Sequence, residues 1–312
     1  MDSLRRLSIA SLGATFLLVT IGGLVRATKS GLGCGTDWPH CNSHLIPAFE
    51  SSEVLIEYSH RLVAGGLVLL LAVLAFHALR SHRDDRRILW SSLAAFGLVL
   101  FQAVLGMVVV KLELEAESVV LHLVTAMALL ATLVYLVALA VRRRGEPLAP
   151  TDRALGRQAR LAAGAVLLLL MVGSYLSGVP DAGNAFGDWP LMGGRLVPDL
   201  GVEQFAVHFL HRALAAGVAV VVLVVGIRFV KRKQELPLQA KLAHSAMGLY
   251  AVEVAVGALN VWTGLAPVAV TLHLAVGALI WGCFVALAVV TDSSLAYAAA
   301  RIPAQSPRGA EA

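Results

Sequence analysis

The chain has 312 residues, of which 58% are hydrophobic and only 14% charged, with a formal net charge of +5. Soluble domains carry about a quarter charged residues, so this composition, with a mean hydropathy of +0.78, excludes an ordinary soluble enzyme. The basic residues are scattered over several short loops, which excludes nucleic acid as a partner and leaves membrane topology as their meaning.

Apolar runs of roughly 20 residues are the unit of membrane spanning. The sequence predicts eight, in order 7–25, 57–79, 89–110, 118–141, 158–178, 206–230, 240–262 and 268–291. The first follows Arg5 and Arg6 and has the outline of a secretory signal. It is assigned instead as a retained helix, because it has a counterpart later in the chain. Orientation follows from Lys and Arg. One set of loops, with the two termini, holds Arg5, Arg6, Arg80, Arg83, Arg86, Arg87, the run 142–144, Arg153, Arg157, Arg160, Arg228, 231–233, Lys241 and the tail arginines, 19 of the 25 basic residues. Both termini are therefore expected in the cytoplasm, with the loops 26–56, 111–118, 179–205 and 263–267 outside.

Shifting the sequence by 151 residues superposes its landmarks without a gap. Gly22 falls on Gly173, Asp37-Trp38-Pro39 on Asp188-Trp189-Pro190, and His60-Arg61 on His211-Arg212. Gly106 falls on Gly257, and Leu121-His122-Leu123 on Leu272-His273-Leu274. So many rare residue types at one offset predict a tandem repeat. The fold class is an all-α integral membrane protein of two four-helix bundles, 1–145 and 146–312, joined by the basic stretch "RRRGEPLAPTDR". An even number of spans per unit makes the repeats parallel.

Of the ten histidines, His60, His122, His211 and His273 lie a few residues inside the outer ends of the second, fourth, sixth and eighth spans. Each unit thus carries one pair at matched depth. Imidazoles from two facing helices of a bundle can hold a haem between them, so the pattern predicts two haem sites with these four residues as iron ligands. The plainer reading is interhelical hydrogen bonding. Repetition at one offset favours haem. His77, His82 and His244 fall towards the other side of the membrane, and His40 and His44 in a solvated loop.

Glu57 precedes His60 by three positions and shares its helix face. The matching residue is His208. A carboxylate beside a haem can act as a general base or stabilise positive charge; alternatively it is an acid favoured by a helix N-terminus. The Glu57/His208 difference suggests one catalytic unit and one supporting unit. Glu-x-x-His also occurs in di-iron carboxylate bundles, but the second copy here is His-x-x-His. The remaining deep acid, Glu253, has Gln102 as its counterpart, so the ligand count falls short. Glu253 near mid-membrane is costly enough to imply a function. Arg61 and Arg212 are candidates for pairing with haem propionates, with interfacial snorkelling as the alternative.

The long loops after the first and fifth spans each carry Asp-Trp-Pro, and either lid the haem sites or anchor at the interface. Cys34 and Cys41 share the first loop, and their counterparts are Ala185 and Met192. Their joint absence from the second unit, and an oxidising exterior, predict a disulfide. A loop staple is the structural reading and a redox role the alternative. Cys283 falls within the last span as a core thiol.

The segments "GGLVRATKSGLGCGTDWPHC", "EYSHR", "VLHL", "HFLHR" and "TLHL" together resemble the haem A synthase family, in its cysteine-containing bacterial form, over nearly the whole chain. The resemblance implies an oxidoreductase of the bacterial cell membrane. It would convert haem O to haem A for cytochrome oxidase by oxidising the C8 methyl to a formyl group, with water as oxygen source. It implies that His60 and His122 hold the substrate haem, with Glu57 as the catalytic residue. It implies that His211 and His273 hold a resident haem b. Partners implied are haem O, a haem O synthase and an electron acceptor in the membrane. The chain lacks the second-unit cysteines of some members, which weighs against a redox role needing two pairs. Two other readings stand beside it: a di-haem electron carrier between quinol and an outer acceptor, and a non-catalytic haem-binding assembly factor.

Overall fold

The computed structural model describes residues 3–142 and 152–291. Most of the expected linker, much of the basic run 142–144 and the tail arginines lie outside the described residues. The protein is all-helical, with eight long helices: α1 Ser3–Ala27, α2 Ser52–Ser81, α3 Arg86–Lys111, α4 Ala116–Arg142, α5 Arg153–Gly178, α6 Glu203–Lys231, α7 Pro237–Trp262 and α8 Pro267–Thr291. The shortest have 25 residues, roughly 37 Å at 1.5 Å per residue, against a hydrocarbon core of about 30 Å. All eight are long and apolar enough to cross a membrane.

Each predicted span is present, and most begin several residues earlier than hydropathy alone indicates. The reason is local. Polar first turns are stabilised by caps that a hydropathy reading does not count. Ser51 accepts the Val54 N–H, Asp85 the Arg87 and Ile88 N–H groups, and Asp152 those of Ala154 and Leu155. Pro237 and Pro267 open α7 and α8, at the position where a missing N–H costs nothing.

α1 packs on α2 and α4, α2 on α3, and α3 on α4. Likewise α5 packs on α6 and α8, α6 on α7, and α7 on α8. α1 and α4 also meet α8, and α4 meets α5, so these four helices form the middle of the molecule. One apolar core lies among α1–α4, including Leu71, Leu74, Leu133 and Leu136. The other centres on α5–α8 and draws in Val19, Met127 and Leu130. Ala159, Ala162, Ala243, Ala246 and Ala278 in that core are small residues that let backbones approach, the usual means of helix association in lipid. The outward faces are also apolar: Leu69, Phe76, Trp90 and Leu161 are all more than 60% exposed. Water would not tolerate so continuous an apolar belt; a bilayer supplies the matching solvent.

At one end of the bundle the connections α1–α2 and α5–α6 are long. Each contains a short 3₁₀ turn, Ser30–Leu32 and Ala182–Asn184. Each then makes a two-residue hairpin, with bridges Cys41–His44 and Met192–Arg195. The central pairs, Asn42-Ser43 and Gly193-Gly194, all have positive φ, as a type I′ turn requires. The 3₁₀ turns are spaced one residue further apart than the hairpins. The ungapped register of the sequence therefore slips by one residue inside this loop. Gly33 marks a close approach in the first copy: a Cβ there would lie 2.5 Å from the Glu53 carbonyl carbon, so only glycine lets the loop rest on the start of α2.

Candidate functional site

All four histidines lie in the second or third turn of even-numbered helices, at the end that carries the long loops. Each ring is seated on a glycine of the preceding helix. A Cβ on Gly22 would lie 3.4 Å from His60 Cε1, and one on Gly106 3.6 Å from His122 Cε1. In the second half the fit is tighter, with Gly173 at 3.0 Å from His211 and Gly257 at 3.2 Å from His273. The four glycines that marked the sequence offset are thus the floors on which the imidazoles rest. In every ring the buried nitrogen without a hydrogen-bond partner is Nδ1. Nε2 is left as the nitrogen an iron could reach.

His211 on α6 and His273 on α8 face each other with ring centres 6.2 Å apart and planes at 74°. Two imidazoles on opposite sides of one metal, with metal–nitrogen bonds of about 2 Å, place their ring centres roughly 6 Å apart. The pair therefore fits an axial ligand set for a haem iron. His60 and His122 lie within electrostatic reach of each other. Among the described residues, no group of three or more His, Cys, Asp or Glu is placed to share a metal ion, as a di-iron centre would need.

Glu57 is buried on α2, and both carboxylate oxygens are held. Oε2 accepts the Cys34 backbone N–H at 2.8 Å, and Oε1 accepts from Arg61 at 2.5 Å. Arg61 also donates to the Asp37 and His40 carbonyls at 2.9 and 2.7 Å. Those carbonyls lie between Cys34 and Cys41, which are joined by a disulfide. The carboxylate, the arginine and the stapled loop form one connected unit over the start of α2. A helix-terminal acid merely favoured by the dipole would remain solvated; Glu57 is instead enclosed and doubly bonded.

In the second half His208 takes the place of Glu57. It is buried, and its Nδ1 is 2.8 Å from the Ala182 carbonyl oxygen. Phe186 stacks edge-on against it at 5.3 Å. Phe186 follows the 3₁₀ cap Ala185 as Cys34 follows Gly33, so an aromatic ring fills the space beside α6 where the first half has its disulfide. Arg212 repeats the role of Arg61 by donating to the Asp188 and Leu191 carbonyls at 3.1 and 2.8 Å. Asp188 accepts the N–H groups of Gly193 and Gly194, both at 2.8 Å, and these bonds hold its carboxyl below the usual range. Asp37 does the same for Ser43 at 2.9 Å. Both Asp-Trp-Pro segments contain a cis Trp-Pro bond, and Trp189 packs on Trp262 of α7.

The other histidines are elsewhere. His40, His44 and His244 are exposed. His77 and His82 stack on each other near the far end of α2. Cys283 is a half-buried free thiol on α8. Glu253, without a partner in the sequence reading, has one in space: its Oε1 is 3.2 Å from His273 Nδ1. Its counterpart Gln102 instead donates to the His122 carbonyl at 2.9 Å. Hydropathy could not reveal this pairing. The only sequence signal was an acid too costly for its depth.

The fold and the four seated imidazoles define a class: a multi-pass helical membrane protein that carries paired histidines on facing helices. Residues 5–285 match the cytochrome oxidase assembly protein family, and the chain belongs to that family. It is 34% identical to the Heme A synthase of Exiguobacterium sibiricum over 217 residues, 68% of this chain and 71% of the relative. It is 33% identical to that of Shouchella clausii over 235 residues, 73% and 76% of the two chains. A Staphylococcus aureus Heme A synthase matches at 28% over 269 residues, 85% and 87%.

Proposed function

We propose that this protein is a haem A synthase that oxidises the C8 methyl of haem O to a formyl group. The observation that carries the reading is family membership over residues 5–285, joined to a histidine pair whose 6.2 Å spacing admits a haem iron. The two halves, 1–145 and 146–312, act as repeated units with different duties. Their matching hairpins and glycine-seated histidines support the repeat. The first half receives haem O between His60 and His122. The second holds a resident haem b between His211 and His273, which supplies one-electron transfer.

Converting a methyl to a formyl group consumes one water and releases four electrons and four protons. The electrons leave for an acceptor in the membrane. Glu57 takes a proton from the attacking water. Arg61 and the Cys34 N–H orient its carboxylate, so that its position does not depend on solvent. His60 and His122 would hold the substrate haem through its iron, which would leave the porphyrin edge as the place for chemistry. The disulfide braces the loop that supplies the Cys34 N–H. Arg61 and Arg212 bind loop carbonyls through NH1, and haem propionates at the same end would complete their remaining donors; the Arg212 NH2 group is buried without a partner. The distribution of basic residues supports cytoplasmic termini in a bacterial cell membrane, with both haem sites towards the outer face.

The test uses a host that makes haem O but no haem A. Its membranes, with the protein expressed, are extracted and the haems separated with mass detection. Haem A or its hydroxylated precursor is expected, and is lost with Glu57→Ala while haem binding persists. Only haem B and haem O, beside a normal bis-histidine spectrum and a supplied electron acceptor, would replace this reading with that of a di-haem electron carrier.

A further inference from the structure

The two halves differ deep in the bundle as well as at Glu57. Glu253 on α7 lies one helical turn before Gly257, the seat of His273. Its Oε1 is 3.2 Å from His273 Nδ1, which makes no hydrogen bond. Its Oε2 is buried and has no partner. The space for this carboxylate is provided by α8 itself. A Cβ on Gly277, one turn along from His273, would stand 3.0 Å from Glu253 Oε1. At the matching positions the first half has Gln102 and Ala126. Gln102 spends its amide on a backbone carbonyl, and His122 Nδ1 has no partner. Only the second half therefore combines a half-buried acid, a glycine that makes room for it and a histidine nitrogen within reach.

We propose that Glu253 is a positioning residue for the second haem site, accepting the Nδ1–H of His273 so that Nε2 faces the iron, and lowering the midpoint potential of that haem. The inference rests on the reading that His211 and His273 hold a haem. A carboxylate that accepts from the far nitrogen of a ligating histidine fixes its tautomer and makes it a stronger donor. A stronger donor favours the ferric state. The burial of His273 Nδ1 and Glu253 Oε2 enlarges the effect, because little water competes there. The asymmetry gives the two sites different potentials.

The experiment uses full-length protein purified from a host that makes haem B and no haem O, so that the resident site alone is loaded. Optical redox titration compares wild type with Glu253→Gln, Glu253→Ala and Gly277→Ala. Glu253→Gln and Glu253→Ala are expected to keep a low-spin bis-histidine spectrum and to raise the midpoint. The expected change is about tenfold in the ratio of reduced to oxidised haem at fixed potential, or roughly 59 mV for one electron. Gly277→Ala keeps the acid but displaces it, and should shift the midpoint in the same direction by less. A Glu253 variant that stays folded by circular dichroism yet loses haem also supports positioning. Midpoints equal to wild type in both Glu253 variants overturn the inference. A His273→Ala protein with unchanged haem content and spectrum would instead overturn the ligand reading beneath it.

Discussion

Replacing Gly173 by alanine tests whether the glycine seats hold the histidines in register. The added Cβ would stand 3.0 Å from His211 Cε1 and 3.4 Å from Nδ1, where carbon atoms normally rest about 3.5–4.0 Å apart. The ring must therefore move by roughly half an ångström or more, and His211 shares its 6.2 Å gap with His273. Overpacking of this kind costs about 1–3 kcal/mol. Expressed as lost haem affinity, that is roughly 5- to 150-fold. The assay is the rate at which protein loaded with haem B gives up haem to an excess of a haem scavenger. Gly257→Ala, at 3.2 Å from His273, should show a smaller acceleration. Gly164→Ala, on the same helix with nothing within 4 Å, controls for the change in helix propensity and should release haem at the wild-type rate. If Gly173→Ala behaves like Gly164→Ala, the seating argument is wrong.

The disulfide between Cys34 and Cys41, with a sequence separation of 7, closes a loop small enough that chain entropy alone assigns it about 2.5 kcal/mol. The Cys34→Ala/Cys41→Ala double variant should lose several-fold in product formation while the His211/His273 site keeps its haem; a double variant with wild-type turnover would show that the staple does not support Glu57. Asp188 offers a pH test. Its carboxyl is held low, first by the Gly194 N–H and then by that of Gly193. A group with a depressed folded pKa contributes stability above its unfolded value of about 3.9, and that contribution is lost as pH falls through the folded value. The 192–195 hairpin should therefore be insensitive to pH from about 5 to about 8, where the carboxylate stays ionised, and should open only in stronger acid. Amide hydrogen exchange at Gly193 and Gly194 reads this directly, and Asp188→Asn should accelerate that exchange at neutral pH.

The eight spans could be read from the chain because a bilayer leaves so few choices. Backbone groups in hydrocarbon must pair within the helix, so a run of apolar residues names both the element and its length. The histidines were legible for a related reason: ionisable side chains are costly at that depth, and four of them at one offset ask for a shared explanation. Cys34 and Cys41 were legible as a pair because both vanish together from the second half. Helix ends were less so. Ser51, Asp85 and Asp152 extend helices through hydrogen bonds, which hydropathy does not register.

Tertiary structure decided what stands next to what. Glu57 and Cys34 are 23 positions apart, and only the fold of the stapled loop over α2 brings the N–H to the carboxylate. Gly22, Gly106, Gly173 and Gly257 were landmarks in the sequence; packing between neighbouring helices turned them into seats for imidazole rings. Glu253 was recognisable as an expensive residue, but its partner lies on another helix, and the room for it comes from Gly277 on that same helix. The one-residue slip between 3₁₀ turn and hairpin likewise escaped the ungapped alignment, because a loop can absorb a residue without moving the helices on either side. Composition and periodicity dictate which segments enter the membrane. Which side chains meet depends on how the faces of those segments pack, and small differences in side-chain volume settle that.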